Sequence, residues 1–272
     1  MSINPTNPFD IDPHVAEIYD RVEFSTEDVE FVRRLSAGLG PLRILEPFCG
    51  TGRVLLPLAE AGHTVTGLDC ARAMLARARH KAERLPEDAR RRVELIEMDI
   101  THWDEWPTGF DLVILGGNGL YELATPAEQE GSIAAAAASL RPGGHLYLDS
   151  DHMEGVLDAN WRLAGEVRGA LTGTCADNTF VENTLETIWF DAPRRLVKFR
   201  RRTFISPPSG KPMQCEYVQQ KHPVSRLEVE TWLKQHGFIV EGLYGDRSGG
   251  PYNEAGGRMI FWARKSEAAG RV

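Results

Sequence analysis

Cysteine is scarce: four in 272 residues (Cys49, Cys70, Cys175 and Cys215), none in a Cys-x-x-Cys pair. That spacing fits neither a zinc site nor a disulfide framework, so no metal is expected and reduced thiols in the cytoplasm are the default. Positive charge is in deficit as well, 31 Lys and Arg against 39 Asp and Glu, for a formal charge of -8. Phosphate-rich partners need a positive surface, so the bulk composition argues against nucleic acid and anionic membranes. No stretch approaches the roughly 20 uninterrupted apolar residues of a membrane helix. The opening Met-Ser-Ile-Asn-Pro-Thr-Asn-Pro has neither a basic patch nor an apolar run, so no signal peptide is expected. The apolar and charged shares, 42% and 26%, are those of an ordinary globular protein, long enough for one large domain or two small ones.

What is there is an alternation of strand and helix patterns. Residues 1–13, rich in Pro, Asn and Asp, read as an irregular arm, and residues 15–19 as a short helix. A second helix is expected from Ser25, with Asp28 completing a capping box, until Gly38, Gly40 and Pro41 stop it. β runs at 43–46, 63–69, 93–98, 110–115 and 145–150 are separated by helical patterns at 54–61, 72–84 and 126–140. Such alternation means right-handed βαβ units on a parallel sheet. Beyond residue 156, three runs rich in β-branched and aromatic residues (180–190, 196–205 and 213–220) predict an antiparallel insertion of about three strands. A helix at 225–236 and strands at 238–244 and 258–263 follow. The expected division is therefore 1–40, an arm and helices covering the ligand site; 41–156, the ligand-binding core; 157–222, the insertion, serving as a lid or oligomer contact; and 223–272, the last helix and strands of the core.

The sharpest local signal is Ile44-Leu45-Glu46-Pro47-Phe48-Cys49-Gly50-Thr51-Gly52-Arg53, a strand ending in a carboxylate and then two glycines leading into a helix. Glycine lets the backbone turn tightly and lets a ligand lie against main-chain atoms, although any tight strand-to-helix connection uses it too. Asp69 closes the second strand 19 residues after Gly50, where a carboxylate can accept ribose hydroxyls. Asp99 follows the third strand, where it could accept the exocyclic amine of adenine. Each alone reads equally as a helix cap or a solvated strand end. At the tips of three successive parallel strands they converge on one crevice. A dinucleotide is disfavoured: Leu55 stands where Gly-x-Gly-x-x-Gly needs its third glycine, and no P-loop lysine is present. Glu46 would repel a pyrophosphate and attract an ammonium group. A ligand with ribose, adenine and a cationic amino-acid tail fits better, and S-adenosylmethionine is that ligand.

These residues resemble the class I S-adenosylmethionine-dependent methyltransferases. The resemblance runs from Tyr19 to Lys265. It rests on Glu46-x-x-x-Gly50-Thr51-Gly52, Gly67-Leu68-Asp69 with Met74-Leu75, Glu97-Met98-Asp99, Phe110-Asp111-Leu112-Val113 and Leu140-Arg141-Pro142-Gly143-Gly144. Within the class, Gly117-Asn118-Gly119-Leu120-Tyr121-Glu122-Leu123, the strands after the sheet and the late Gly245-Asp246 loop are most similar to the glycine N-methyltransferase-type, small-molecule branch. The resemblance implies an α/β, Rossmann-like fold: a mostly parallel seven-stranded sheet flanked by helices, with an antiparallel β insertion after the fifth strand. It also implies S-adenosyl-L-methionine as cofactor, S-adenosyl-L-homocysteine as product, and a small-molecule acceptor methylated at an amine nitrogen or hydroxyl oxygen. By the same resemblance, Glu46 and the main chain near Leu115 and Gly117 hold the methionine amine. Gly50 and Gly52 admit the methionine and ribose, with Arg53 alongside. Asp69 takes the ribose hydroxyls, Met74 packs on adenine, Asp99 and Ile100 read its edge, and Tyr19 covers the cofactor. Met74 and Tyr19 read equally as core side chains.

One departure bears on the acceptor. Glycine-type enzymes place an arginine shortly after the fifth strand to grip the substrate carboxylate, whereas Asp151 and then His152 stand at that point here. A carboxylate cannot hold a carboxylate, so a cationic amine or a hydroxyl suits Asp151 better than glycine does. Asp151 or His152 could serve as base, with Asn118, Tyr121 and Tyr252 lining the acceptor pocket and Tyr121 beside the reacting atoms. As solvated strand-end residues they would do none of this. Lys198, Phe199, Arg200, Arg201 and Arg202 offer an RNA methyltransferase reading, countered by Glu182, Glu186, Asp191 and Glu216, which could pair across strands. A non-catalytic cofactor-binding module is a further alternative.

Overall fold

The computed structural model describes residues 9–23, 25–151 and 161–267. Two sheets organise them. The larger has seven strands in the order β10-β11-β5-β4-β1-β2-β3. Its centre is β1 (Arg43–Pro47), β2 (Thr64–Asp69), β3 (Val93–Glu97), β4 (Phe110–Leu115) and β5 (Leu140–Asp151), all parallel. β11 (Arg258–Lys265) runs antiparallel to β5, and β10 (Phe238–Tyr244) antiparallel to β11. β4 is buried along its whole length and β1 along four of its five residues, as strands covered on both faces require. The helices are α1 (Pro13–Val22), α2 (Glu27–Leu35), α3 (Leu55–Glu60), α4 (Arg72–Ala82), α5 (Glu87–Arg90), α6 (Pro126–Ser139) and α7 (Arg226–Gln235). α6 and α7 each open with a complete capping box, Thr125 with Glu128 and Ser225 with Glu228, and pack together over one face of the sheet. α2 and α3 cover the other face. No helix among the described residues is long and apolar enough to cross a membrane.

The strand order reverses between β1 and β4, which opens a crevice beyond their carboxyl ends, the ligand position of open α/β sheets. Above it lies the insertion, a four-stranded antiparallel sheet of β6 (Val167–Thr174), β7 (Phe180–Asp191), β8 (Leu196–Ser206) and β9 (Met213–Lys221). The three predicted strands are present. The fourth, β6, escapes the sequence pattern because Gly169 and Gly173 interrupt its alternation. α1 packs against this sheet through Val15 and Ile18, which join Leu171, Val181 and Ile205. The Ser25–Asp28 capping box does not form. α2 starts at Glu27 without a side-chain cap, because the Asp28 carboxylate is taken by Arg53.

Candidate active site

The crevice closes into a cavity of about 380 Å³, within the usual range for small-molecule sites. Its floor is the row of strand tips. After β1 the chain turns through Phe48 (φ 61°) and Gly50 (φ 54°), then enters α3 after Gly52 (φ 74°). A side chain at Gly52 would be strained by that backbone and would also meet Leu56 Cγ at 3.0 Å. Phe48 is not glycine yet holds the left-handed region. Its ring lies so close to Gly119 that a Cβ there would sit 2.9 Å from Cδ2, so the tips of β1 and β4 interlock.

Asp69 ends β2 with both carboxylate oxygens partly engaged: Oδ2 accepts from Gly50 N–H and Oδ1 from Ala71 N–H, each at 2.8 Å. Burial raises its pKa, and the two N–H donors oppose that rise. Each oxygen keeps a lone pair for a ligand. Asp99 uses only Oδ1 internally, for the N–H and hydroxyl of Thr101, and these bonds hold its pKa low. Ile100 lines the cavity, its carbonyl accepting from the Trp106 indole at 3.0 Å. Met74 lies under Gly50, with its Cε 3.7 Å from where a Cβ would be. Tyr19 on α1 closes the cavity from above, edge-on to Phe9 at 6.1 Å, and burial pushes its hydroxyl up to about 12.

Glu46, Gly52 and Arg53 are not among the residues that line the cavity. Glu46, near the end of β1, is 5% exposed, and its Oε2 is sealed without a hydrogen-bond partner. Burial raises its pKa to about 8. Arg53, the nearest positive charge, is held by Asp28 through two hydrogen bonds of 2.8 and 2.6 Å and by the Ser25 carbonyl. Its guanidinium stands beside Gly117, 3.9 Å from where a Cβ would be. An orphaned buried carboxylate oxygen next to a glycine turn is what a ligand ammonium would satisfy. Together with the free valences of Asp69 and Asp99, it makes the chemistry of the site fit an adenosyl compound with an amino-acid tail.

The cavity therefore brings together Tyr19, Gly50, Asp69, Met74, Asp99, Ile100 and Gly117. Leu115 stays in the core at the end of β4, behind the site. The acceptor-side expectations fare differently. Asp151 is not presented to the cavity: Arg258 donates to its Oδ1 at 2.7 Å and Asn118 to its Oδ2 at 2.9 Å, while its own N–H donates back to Asn118. The Tyr121 hydroxyl donates to the Asp151 carbonyl at 2.5 Å and is buried. These three residues brace the tips of β4 and β5 against each other. Tyr252 lines a separate surface hollow with Arg226, Leu243 and Glu254. His152 lies outside the described residues. The basic strand is neutralised in part: Arg200 and Arg202 both pair with Glu186 and Glu216, two of the four acids the sequence offered, while Lys198 stands over Trp189 and Arg201 has no acidic partner among the described residues.

Several cavity residues carried no functional expectation: Phe9, Phe48, Cys70, Thr101, Glu122, Tyr217 and Gln219. Glu122 matters most. Gln219 donates to its Oε2 and Lys221 to its Oε1, both at 3.0 Å. Burial alone would raise its pKa, but Lys221, Arg201 and Gln219 outweigh burial and keep it ionised. It sat within a quoted motif, but nothing local revealed that β9 would return to meet it.

Comparison with known proteins gives a consistent picture. Residues 44–144 match a family described as a methyltransferase domain. A Geobacillus sp. (strain WCH70) protein bearing a provisional methyltransferase name is 26% identical over 229 residues, spanning 83% of this chain and 85% of that protein. Glycine/sarcosine N-methyltransferase of Halorhodospira halochloris is 30% identical over 124 residues, 44% of this chain and 43% of that one. Among solved structures, S-adenosylmethionine-bound CalS10, an amino pentose methyltransferase from Micromonospora echinaspora, is 25% identical with a TM-score of 0.63, covering 93% of this chain and 97% of its own. An S-adenosylmethionine-dependent methyltransferase from Clostridium acetobutylicum ATCC 824 has the same fold, with a TM-score of 0.72 at 16% identity over 93% and 98%.

Proposed function

We propose that this class I S-adenosylmethionine-dependent methyltransferase acts on a small molecule and methylates it at an amine nitrogen. The observation that carries the reading is the ionised carboxylate of Glu122, set in the cavity wall among Phe48, Leu123 and Tyr217. A carboxylate held ionised in the cavity wall attracts a cationic amine through the lone pairs that Lys221 and Gln219 leave free, and because those partners lower its basicity its part is to orient the amine. CalS10 and the Halorhodospira enzyme, whose names describe an amino sugar and an N-methylated amino acid, lend support from relatives.

S-adenosylmethionine, when bound, supplies a methyl group on a positively charged sulfur. The chain's own part is to bind, orient and exclude water. In this reading Asp69 takes the ribose hydroxyls with its spare lone pairs, and Asp99 Oδ2 takes the exocyclic amine of adenine beside Ile100 and Met74. Glu46 takes the methionine ammonium, and Arg53 offers positive charge to the carboxylate beside it. Tyr19 and the insertion sheet close the site. Holding a nitrogen against the methyl carbon in a water-poor cavity turns an encounter of two molecules into a positioned displacement.

The test is turnover with a panel of small amines and matched alcohols, read by mass spectrometry. Methylated amines are expected, with kcat/KM falling at least tenfold in Glu122→Gln while S-adenosylhomocysteine binds within twofold of wild type. Methylation confined to hydroxyl groups would overturn the nitrogen assignment.

A further inference from the structure

Strand β8 alternates cleanly. Arg200 and Arg202 face outward and are paired with Glu186 and Glu216, whereas Val197, Phe199, Thr203 and Ile205 face inward and are buried. Arg201 belongs to the inward row. Its cross-strand neighbours are Leu185 on β7 and Tyr217 on β9. Its guanidinium stands 5.3 Å over the Phe9 ring. Phe9, Tyr217 and Glu122, whose charge acts on Arg201, all line the active-site cavity. Among the described residues Arg201 makes no hydrogen bond and no carboxylate lies within ion-pair distance, and its Nε is sealed from solvent with no acceptor. The acid whose charge reaches it, Glu122, gives one lone pair of each oxygen to Lys221 and Gln219 and makes no hydrogen bond to Arg201.

The sealed Nε of this half-buried arginine is a charged donor without an acceptor, which costs free energy unless an anion meets it. Three arginines in succession show the contrast: two carry acidic partners supplied by the fold, and the one on the inward row, which borders the cavity-lining Phe9 and Tyr217 without itself lining the cavity, carries none. Arginine's planar fork suits a carboxylate or phosphate bidentately. In the reading proposed above the methionine carboxylate of the cofactor goes to Arg53, which leaves Arg201 for a different anion.

We infer that Arg201 is a specificity-determining residue that receives an anionic group, a carboxylate or phosphate, on the methyl acceptor. This rests on the small-molecule amine reading and narrows it: the acceptor is an amine carrying an acid, its ammonium directed to Glu122 and its anion to Arg201. The two side chains approach the cavity from opposite sheets, Glu122 from beyond β4 and Arg201 from β8. They would therefore select for the distance between the two charges as well as for their signs.

The probe is inorganic phosphate, titrated by calorimetry into the full chain saturated with S-adenosylhomocysteine so that the cofactor end is filled. Wild type is expected to bind it saturably. Arg201→Met should weaken that binding at least tenfold, with S-adenosylhomocysteine affinity within twofold of wild type. Arg201→Lys should restore part of the phosphate binding, and Arg200→Met on the outward row should leave it unchanged. Equal phosphate binding in wild type and Arg201→Met overturns the inference, as does the absence of saturable binding in wild type or a loss confined to S-adenosylhomocysteine. Because no amine is present, this experiment fails independently of the turnover assay that tests the nitrogen assignment.

Discussion

The Thr51 hydroxyl, at the centre of the Gly-Thr-Gly turn and fully buried, donates a 2.5 Å hydrogen bond to Asp20 on α1. Asp20 also accepts from Arg77 and Lys81 on α4, so one carboxylate ties the helix that carries Tyr19 to the turn beneath it. Burial alone would raise the pKa of Asp20, but Thr51, Lys81 and Arg77 together hold it below the ordinary carboxylate value of 3.8. Its stabilisation is therefore present above about pH 4 and is lost as pH falls through the lower folded value. Asp20→Ala should cost about 1–3 kcal/mol in urea unfolding at pH 7, weaken S-adenosylhomocysteine binding, and flatten the acid limb of the stability profile. Unfolding curves that superimpose on wild type would show that α1 is anchored elsewhere.

Glu46 leads to a proton-linked prediction. With a folded pKa near 8 against an ordinary 4.5, it is protonated at neutral pH in the free protein. A raised carboxyl pKa means that its contribution to stability is complete below about pH 4.5 and declines as pH rises toward about 8. A ligand ammonium favours the ionised form, so binding S-adenosylhomocysteine at pH 7 should release close to one proton. Calorimetry in buffers of different ionisation enthalpy counts it directly. Glu46→Gln should abolish the release and weaken binding about tenfold; a binding enthalpy independent of buffer in wild type would rule the ammonium contact out.

Asp69 joins the turn after β1 to the start of α4 through Gly50 and Ala71, as well as facing the cavity. Asp69→Ala removes a charged acceptor, for which the usual cost is about 1–3 kcal/mol, and the loss should appear in the S-adenosylhomocysteine dissociation constant. Asp69→Asn keeps one acceptor and should fall between. A dissociation constant unchanged in the alanine variant would mean that the carboxylate serves the turn alone.

Which of these groups could be read from the chain follows from how local their partners are. Asp69 and Asp99 reach the cavity as their sequence positions suggest, because each stands at or just past the end of a strand whose pattern is visible, whereas Glu46, near the end of β1, lies outside the lining. Asp151 ends a strand in the same manner, yet its partner Arg258 arrives 107 residues later on β11, and that pairing converts an apparent ligand into a brace. Glu122, Tyr217, Gln219 and Arg201 were hidden for the same reason: the contacts that define them form only when the insertion sheet folds back over the strand tips. β6 was missed because Val-Arg-Gly-Ala-Leu-Thr-Gly-Thr lacks an alternating face and is held by pairing with β7. Phe48 was overlooked because nothing in a single phenylalanine announces a left-handed backbone.

The brace itself makes a last prediction. Asp149 is buried and is gripped by Arg258 and by Arg247 Nε at 2.8 Å, with the Tyr147 hydroxyl donating at 3.0 Å. Arg258 spans Asp149 and Asp151, and Asp151 in turn secures Asn118, whose φ of 63° shapes the chain just past Gly117. Removing one partner of a buried ion pair costs about 3–5 kcal/mol. Arg247 still compensates Asp149, so Arg258→Met should fall at the low end of that range, about 3 kcal/mol. Freed of Arg258, Asp151 loses its hold on Asn118, and the loop through Gly117 and Gly119 in the cavity wall loosens. The expected signature is a lower Tm together with weaker S-adenosylhomocysteine binding. Asn118→Gly, which accepts the same backbone but drops the link to Asp151, should reproduce the binding defect with a smaller loss of stability. If it binds like wild type while Arg258→Met does not, the arginine acts on the site by some route other than Asp151.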